Sequence, residues 1–162
     1  MGIISFLLSS SGEEPKDKQT PAVAPSTPKL KGSIGEERTF KVGTKEVLDS
    51  MSPKSKFAVV FEDDGDTGYL YALDNNRKDQ PILDAVSIYD VKNVTDRDEP
   101  SKFVLVWSPD GMKAALFIND YPHAVFDFAA KRGYCRRNFP EPDKKWTKYF
   151  HEWNDSALDL FK

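Results

Sequence analysis

The chain has 162 residues, 39% hydrophobic and 30% charged, with 23 basic residues against 26 acidic for a net charge of −3. A length of this order gives one domain with some extra chain, and the acidic balance argues against a dedicated nucleic-acid binder, for which a basic excess is expected. The single cysteine, Cys135, excludes an intrachain disulfide, so nothing demands an oxidising compartment.

The chain opens on a short apolar run, Gly2-Ile3-Ile4-Ser5-Phe6-Leu7-Leu8. It lacks the basic n-region and length of a secretory signal and falls far below the roughly 20 residues that span a bilayer. The expectation is a cytoplasmic chain, with a weak export signal or a peripheral membrane contact through residues 2–8 as the alternative. Residues 9–33 carry Ser9-Ser10-Ser11-Gly12, Pro15, Pro21, Pro25 and Pro28 and almost no large apolar side chain. Such a composition buries too little surface to offset the entropy of ordering. Residues 1–33 are therefore expected as a disordered segment and linker, and 34–162 as a single globular domain.

Within that domain, Arg38 to Val42 is expected as an edge strand, and Thr44 as the cap of a short helix carrying Val47, Leu48 and Met51, stopped by Pro53. A duplication follows. Phe57-Ala58-Val59-Val60-Phe61, then a polar turn ending in Asp64-Gly65, is echoed by Phe103-Val104-Leu105-Val106-Trp107 and a turn ending in Asp110-Gly111. Each copy continues into a second apolar run (Tyr69 to Leu73; Ala114 to Ile118) and a third (Ile82 to Val91; Tyr121 to Phe128). The first turn, Glu62 to Gly68, is rich in residues that tolerate positive φ, and Ser108-Pro109-Asp110-Gly111 suits a type I turn. Asn119-Asp120 supplies the next. Phe103 to Trp107 is apolar on both faces, as expected of a covered central strand.

Trp146, Phe150, Trp153, Ala157 and Phe161 fall at spacings that place them on one face of a helix, which Asn154-Asp155-Ser156 divides. The expected fold class is α+β: an antiparallel sheet of two related three-stranded meanders, covered by a C-terminal aromatic-faced helix. A meander repeated with a Trp-Ser-Pro-Asp-Gly turn suggests a propeller blade, but two copies cannot close a ring that needs at least four.

The acidic tip Glu62-Asp63-Asp64-Gly65-Asp66 suggests calcium, yet an EF-hand needs glycine at its sixth position and glutamate at its twelfth. Counting from Asp64 these are Tyr69 and Asn75; counting from Glu62 they are Thr67 and Leu73. A solvated tip or a contact for a basic partner fits better. His123, Cys135 and His151 show no close pair of zinc-ligand type, so neither metal nor other cofactor is expected. The only thiol option for catalysis is Cys135 with His123 or His151 and Asp127, where Arg132, Arg136 and Arg137 would depress the thiol pKa if they surround it; a buried apolar cysteine is the plainer reading. Lys131-Arg132-Gly133-Tyr134-Cys135-Arg136-Arg137 is the one concentrated basic stretch, able to hold an anion through Lys131, Arg132, Arg136 and Arg137 or to serve intramolecular ion pairs. His151-Glu152-Trp153 is read as packing.

The runs Phe61 to Tyr71, Tyr121 to Phe128, Arg132-Gly133-Tyr134-Cys135-Arg136 and His151-Glu152-Trp153 together resemble a family of small bacterial domains of unknown function, over roughly residues 50–162. The resemblance implies a bacterial, stand-alone, cytoplasmic domain and transfers no catalytic residue. Two functional readings stand. The first is a non-enzymatic binding protein of immunity or inhibitor type, meeting a protein partner through Glu62, Asp63, Asp64 and Asp66. The second is a small enzyme or anion-binding protein using His123, Asp127, Cys135, Arg132 and Arg136. They part on whether the second set converges.

Overall fold

A computed structural model describes residues 31–161. The expected linker and the apolar run at residues 2–8 lie outside the described residues, apart from the linker's last three. Among the described residues nine strands form: β1 Ser33–Lys41, β2 Glu46–Met51, β3 Phe57–Asp63, β4 Thr67–Asp74, β5 Ile82–Asp90, β6 Pro100–Trp107, β7 Lys113–Ile118, β8 Tyr121–Asp127 and β9 Arg132–Cys135. They pair into two sheets, one in the order β2-β3-β4-β5 and the other β9-β8-β7-β6-β1. All pairings are antiparallel.

The two copies of the duplication thus found separate sheets, rather than adjoining in one. Each meander gains flanking strands, β2 beside the first copy and β1 and β9 at the edges of the second. The reason is visible in β3 and β6, which carry large apolar side chains at alternate positions that need a facing layer. Phe61 of one sheet lies 5.1 Å from Phe103 of the other, Phe103 stacks at 4.1 Å on Phe40, and Phe57 stacks at 4.4 Å on Phe128. Trp107 crosses the same interior and donates its indole N–H to Ser50 Oγ at 2.9 Å, so the ring is buried without an orphaned donor.

Two expected helices do not form. Glu46–Met51 is a strand, because its side chains alternate: Leu48 and Ser50 turn inward while Val47 and Met51 are 50% and 62% exposed. That is period 2, not 3.6. Thr44 closes a turn instead, giving its hydroxyl to Lys41 O at 2.7 Å.

The α+β assignment also fails at the C-terminus. Among the described residues there is no α-helix, and Asp155–Phe161 is a short 3₁₀ turn. The members of the expected stripe go to different places. Trp146 packs on Phe126 and Phe128 beside the main core, Phe150 is 53% exposed, and Trp153, Ala157 and Phe161 join a second cluster with Val104, Phe117 and Val125. No single helical face reaches all three environments. Residues 136–154 are held irregular by tertiary bonds, among them Cys135 N–H to His151 O at 2.8 Å and Ser87 N–H to Phe139 O at 2.8 Å. The molecule is an all-β sandwich of two antiparallel sheets.

The turns obey local chemistry. Asn119 and Asp120 have φ of 51° and 67°, the two left-handed residues of a type I′ hairpin. Gly111 N–H closes the Ser108 turn at 2.9 Å. The Gly111 carbonyl then accepts from Ser52 Oγ at 2.7 Å and Ser55 Oγ at 2.9 Å, tying the second copy's turn to the first sheet.

Candidate functional site

The acidic tip is divided by the pleat of β3. Asp63 points inward and is 1% exposed; its carboxylate accepts from Gly43 N at 2.6 Å, Gly65 N at 2.8 Å and the Tyr89 hydroxyl at 2.7 Å. Burial, then the Asp63 charge, raises the Tyr89 pKa well above its ordinary value. Asp64 folds back on the turn, with Oδ1 accepting from Asp66 N and Thr67 N at 2.9 Å each. Of the four, Glu62 and Asp64 are half-buried and Asp66 is exposed. An open depression of about 440 Å³ lies beside the tip, with Asp66, Asp90, Lys92 and Arg97 among its lining residues.

The basic stretch is divided as well. Within β9, Gly133 and Cys135 face the interior while Arg132 and Tyr134 face out, and Arg136 continues the outer row. Arg137 instead reaches β5, donating to Ser87 Oγ at 2.9 Å and lying 3.6 Å from Asp90, with burial lowering its pKa to about 10. Lys131 sits exposed at the β8–β9 hairpin with φ of 54°.

Cys135 is fully buried in the main core, with Sγ 3.6 Å from Phe139 O. Burial raises the thiol to about 11, so it is protonated and unreactive at neutral pH. His123 and Asp127 lie on the opposite, outer side of the sheet, in the alternate positions of β8 that flank Val125. The ring of His123 stands edge-on to Tyr121 at 5.3 Å; burial first, then the Arg136 charge, lowers its pKa to about 3. Asp127 Oδ1 accepts from Ala130 N at 3.0 Å and sits opposite Arg132 in the β8–β9 register. The outer face therefore collects His123, Asp127, Arg132 and Arg136, and the thiol is turned away from them.

That face carries an arrangement the sequence did not disclose. The Arg132 guanidinium lies over Tyr134 and over Tyr149, 4.7 Å from each ring centroid. The Arg136 guanidinium lies over Tyr121 at 4.6 Å and Trp153 at 3.9 Å. Each guanidinium thus contacts two aromatic rings, which suits its planar, weakly hydrated character. Trp153 is steadied by its indole N–H bond to Asp155 Oδ1 at 2.7 Å, and Arg136 Nε donates to Pro122 O at 3.0 Å. Partial burial lowers the Arg136 pKa, with Tyr121 and Asp155 opposing. Arg132 Nε is buried without an acceptor, one of two such side-chain atoms among the described residues, the other being the Tyr71 hydroxyl.

A second unannounced feature is a buried polar pair. His151, fully buried, places Nε2 2.7 Å from Asp84 Oδ2 and Nδ1 2.6 Å from Pro140 O. A carbonyl only accepts, so Nδ1 carries a proton, and the Nε2–Asp84 bond holds one more. Neither group opens to solvent, which makes the pair a structural tie between β5 and the C-terminal segment. The sequence signal was slight: Asp84 interrupts an apolar strand, and His151 stands beside an aromatic residue.

Among the described residues no group of three or more His, Cys, Asp or Glu side chains is placed to hold a metal ion, and no helix is long and apolar enough to cross a membrane.

The fold and this face define a small all-β sandwich domain with an arginine–aromatic surface. The chain belongs to the bacterial family described as "Uncharacterized protein conserved in bacteria (DUF2251)", whose model matches residues 40–162. It is also 43% identical over 115 residues to a Haemophilus influenzae protein described as "Uncharacterized protein", covering 70% of this chain and 71% of that one. The family resemblance read from the sequence is thereby borne out. No solved structure matches.

Proposed function

We propose that the chain is a non-enzymatic binding domain, of the masking or inhibitor kind, which engages a protein partner through the arginine–aromatic rim that β8, β9 and the C-terminal segment form around Tyr121, Arg136 and Tyr149. One observation carries the reading: two guanidinium groups near one another in sequence each lie over two aromatic rings. Interfaces are enriched in Arg, Tyr and Trp, and rigid anchors of this sort bind at low entropic cost. Tyr121 and Tyr149 are 49% and 40% exposed, and Phe150 adds apolar surface beside them. The orientation of Cys135 away from His123 and Asp127 weighs against the thiol-enzyme reading. At the acidic tip, Asp63 and Asp64 already serve the hairpin, and Asp66 is the exposed carboxylate.

The test is capture from a native bacterial lysate on the immobilised full chain. Wild type is expected to retain a partner, the Arg132→Ala/Arg136→Ala variant to lose it, and the Glu62→Ala/Asp66→Ala variant to keep it. Equal retention by all three, or capture of nothing by wild type, would overturn the assignment.

A further inference from the structure

We infer that the outer face of the first sheet, over Tyr69 and Tyr71, is a docking site for the chain's own apolar run, residues 2–8. This face belongs to the other sheet from the arginine–aromatic rim, and its occupant is a segment of the same chain.

Strand alternation divides β4 into two faces. Leu70 and Ala72 enter the main core, so the pleat turns Tyr69, Tyr71 and Leu73 to the outer side, beside Ala58 and Val60 of β3. None of these five side chains belongs to either apolar cluster. Yet Tyr71 is 1% exposed, Tyr69 4% and Ala58 5%. Neighbours within a sheet shield the flanks of a ring but not its outward surface, so burial this deep requires a layer over the sheet. The Tyr71 hydroxyl is buried as well, and it has no acceptor among the described residues.

The duplication shows what such a layer looks like. Through the pairs Phe61↔Leu70 and Trp107↔Ala114, the second-copy equivalents of Ala58, Val60, Tyr71 and Leu73 are Val104, Val106, Ala115 and Phe117. Those four pack in the second cluster with Trp153, Ala157, Leu158 and Phe161 of the C-terminal segment. That segment therefore covers the second sheet. At the first sheet the chain after β9 meets the β5 margin, where Ser87 N–H donates to Phe139 O and Arg137 donates to Ser87 Oγ. At the opposite margin Val47 and Met51 of β2 are exposed. The missing layer lies between these margins, over β4.

Composition and reach select the occupant. Outside the described residues one run is apolar enough: Gly2 to Leu8 carries Ile3, Ile4, Phe6, Leu7 and Leu8, with no charged side chain before Glu13. Its main-chain carbonyls are acceptors of the kind the Tyr71 hydroxyl lacks, since aliphatic side chains offer none. The intervening residues 9–30 can span up to about 70 Å at ~3.3 Å per residue. A domain of this size has a radius of gyration of about 14 Å, so the run reaches any face. Tethering holds it at an effective concentration near ~1 mM, which favours it over a second copy of the chain at micromolar concentration.

The test is hydroxyl-radical footprinting of the full chain, read by mass spectrometry, with the exposed Tyr121 and Tyr149 as internal standards. Tyr69 and Tyr71 are expected to be protected in the full chain. In the variant lacking residues 2–8, and in Ile4→Asp/Leu7→Asp, they should oxidise at least about tenfold faster, the docked-to-free ratio that ~1 mM effective concentration gives a contact of about 0.1 mM affinity. Equal rates in the full chain and both variants overturn the docking. Protection that rises with protein concentration overturns it too, because it assigns the layer to a second copy. A nitroxide on Ser5→Cys of the full chain gives a measurement that no folding defect of those variants can mimic, since the buried Cys135 stays unlabelled. It should broaden the amide signals of Val60 and Tyr71 more than those of Val106 and Phe117; the reverse order, or no broadening in either sheet, sinks the assignment.

Discussion

Replacing Asp84 by Ala tests the tie between β5 and the C-terminal segment. In the wild type the carboxylate and the His151 ring are both buried, and all the ring's hydrogen bonding is internal. Alanine leaves Nε2 without a partner and opens a void where the carboxylate stood. Removing one member of a buried hydrogen-bonded pair costs about 3–5 kcal/mol. The folded unit has about 130 residues, so at roughly 2.1 cal/mol/K of unfolding entropy per residue the midpoint should fall by about 11–18 °C. In urea, with an m-value of about 1–3 kcal/mol/M, the midpoint should fall by at least about 1 M. Tryptophan fluorescence and far-ultraviolet circular dichroism should report the same transition. Asp84→Asn sharpens the test, because its amide N–H can still donate to a neutral Nε2 while Nδ1–H keeps Pro140 O. It should lose less than Ala, about 1–2 kcal/mol. A loss below about 1 kcal/mol for Asp84→Ala, or equal losses for both variants, would refute the assignment of the pair as a structural tie.

Asp63→Asn should destabilise by about 2–4 kcal/mol, since one of the oxygens meeting Gly43 N, Gly65 N and the Tyr89 hydroxyl becomes a donor; a urea midpoint unchanged from wild type would show that these bonds do not matter to folding. His123 supplies a pH dependence of definite sign. Its folded pKa, about 3, lies below the ordinary 6.5, so the unfolded chain takes up a proton that the folded chain resists. Its contribution is full above pH 6.5 and is lost as pH falls from there toward about 3. His123→Gln should flatten stability against pH over that window, and parallel curves for variant and wild type would contradict the shift.

The strands of the two meanders were legible because their signals are local. Apolar runs ended by Asp-Gly turns, a Pro at the second place of a Ser-Pro-Asp-Gly turn and an Asn-Asp pair all act within a few residues. Glu46–Met51 and the C-terminal stripe were misread because short apolar spacings satisfy helical and irregular chains alike. What settled the first was the β3 edge it pairs with, Leu48 opposite Phe61. What settled the second was anchoring by distant groups. The β9 strand escaped notice because Gly133 and its flanking charges hide a pattern that only the register with β8 reveals.

For the candidate site the division is similar. The sequence marked Arg132, Arg136, His123 and Asp127, and strand alternation places them on one face. It could not show that Tyr149 and Trp153, beyond the cis Phe139-Pro140 bond, return to the two guanidinium groups. Nor could it pair Asp84 with His151. By itself, then, the sequence determined the repeated meanders, their turns and a family membership, since these depend on neighbouring residues and on similarity along the chain. The tertiary structure decided that the copies form two sheets, that Asp63 and Cys135 are interior, and that the basic stretch splits between two surfaces. Those outcomes depend on which apolar face finds a partner layer and which buried polar group finds an acceptor, and both are settled between residues far apart in the chain.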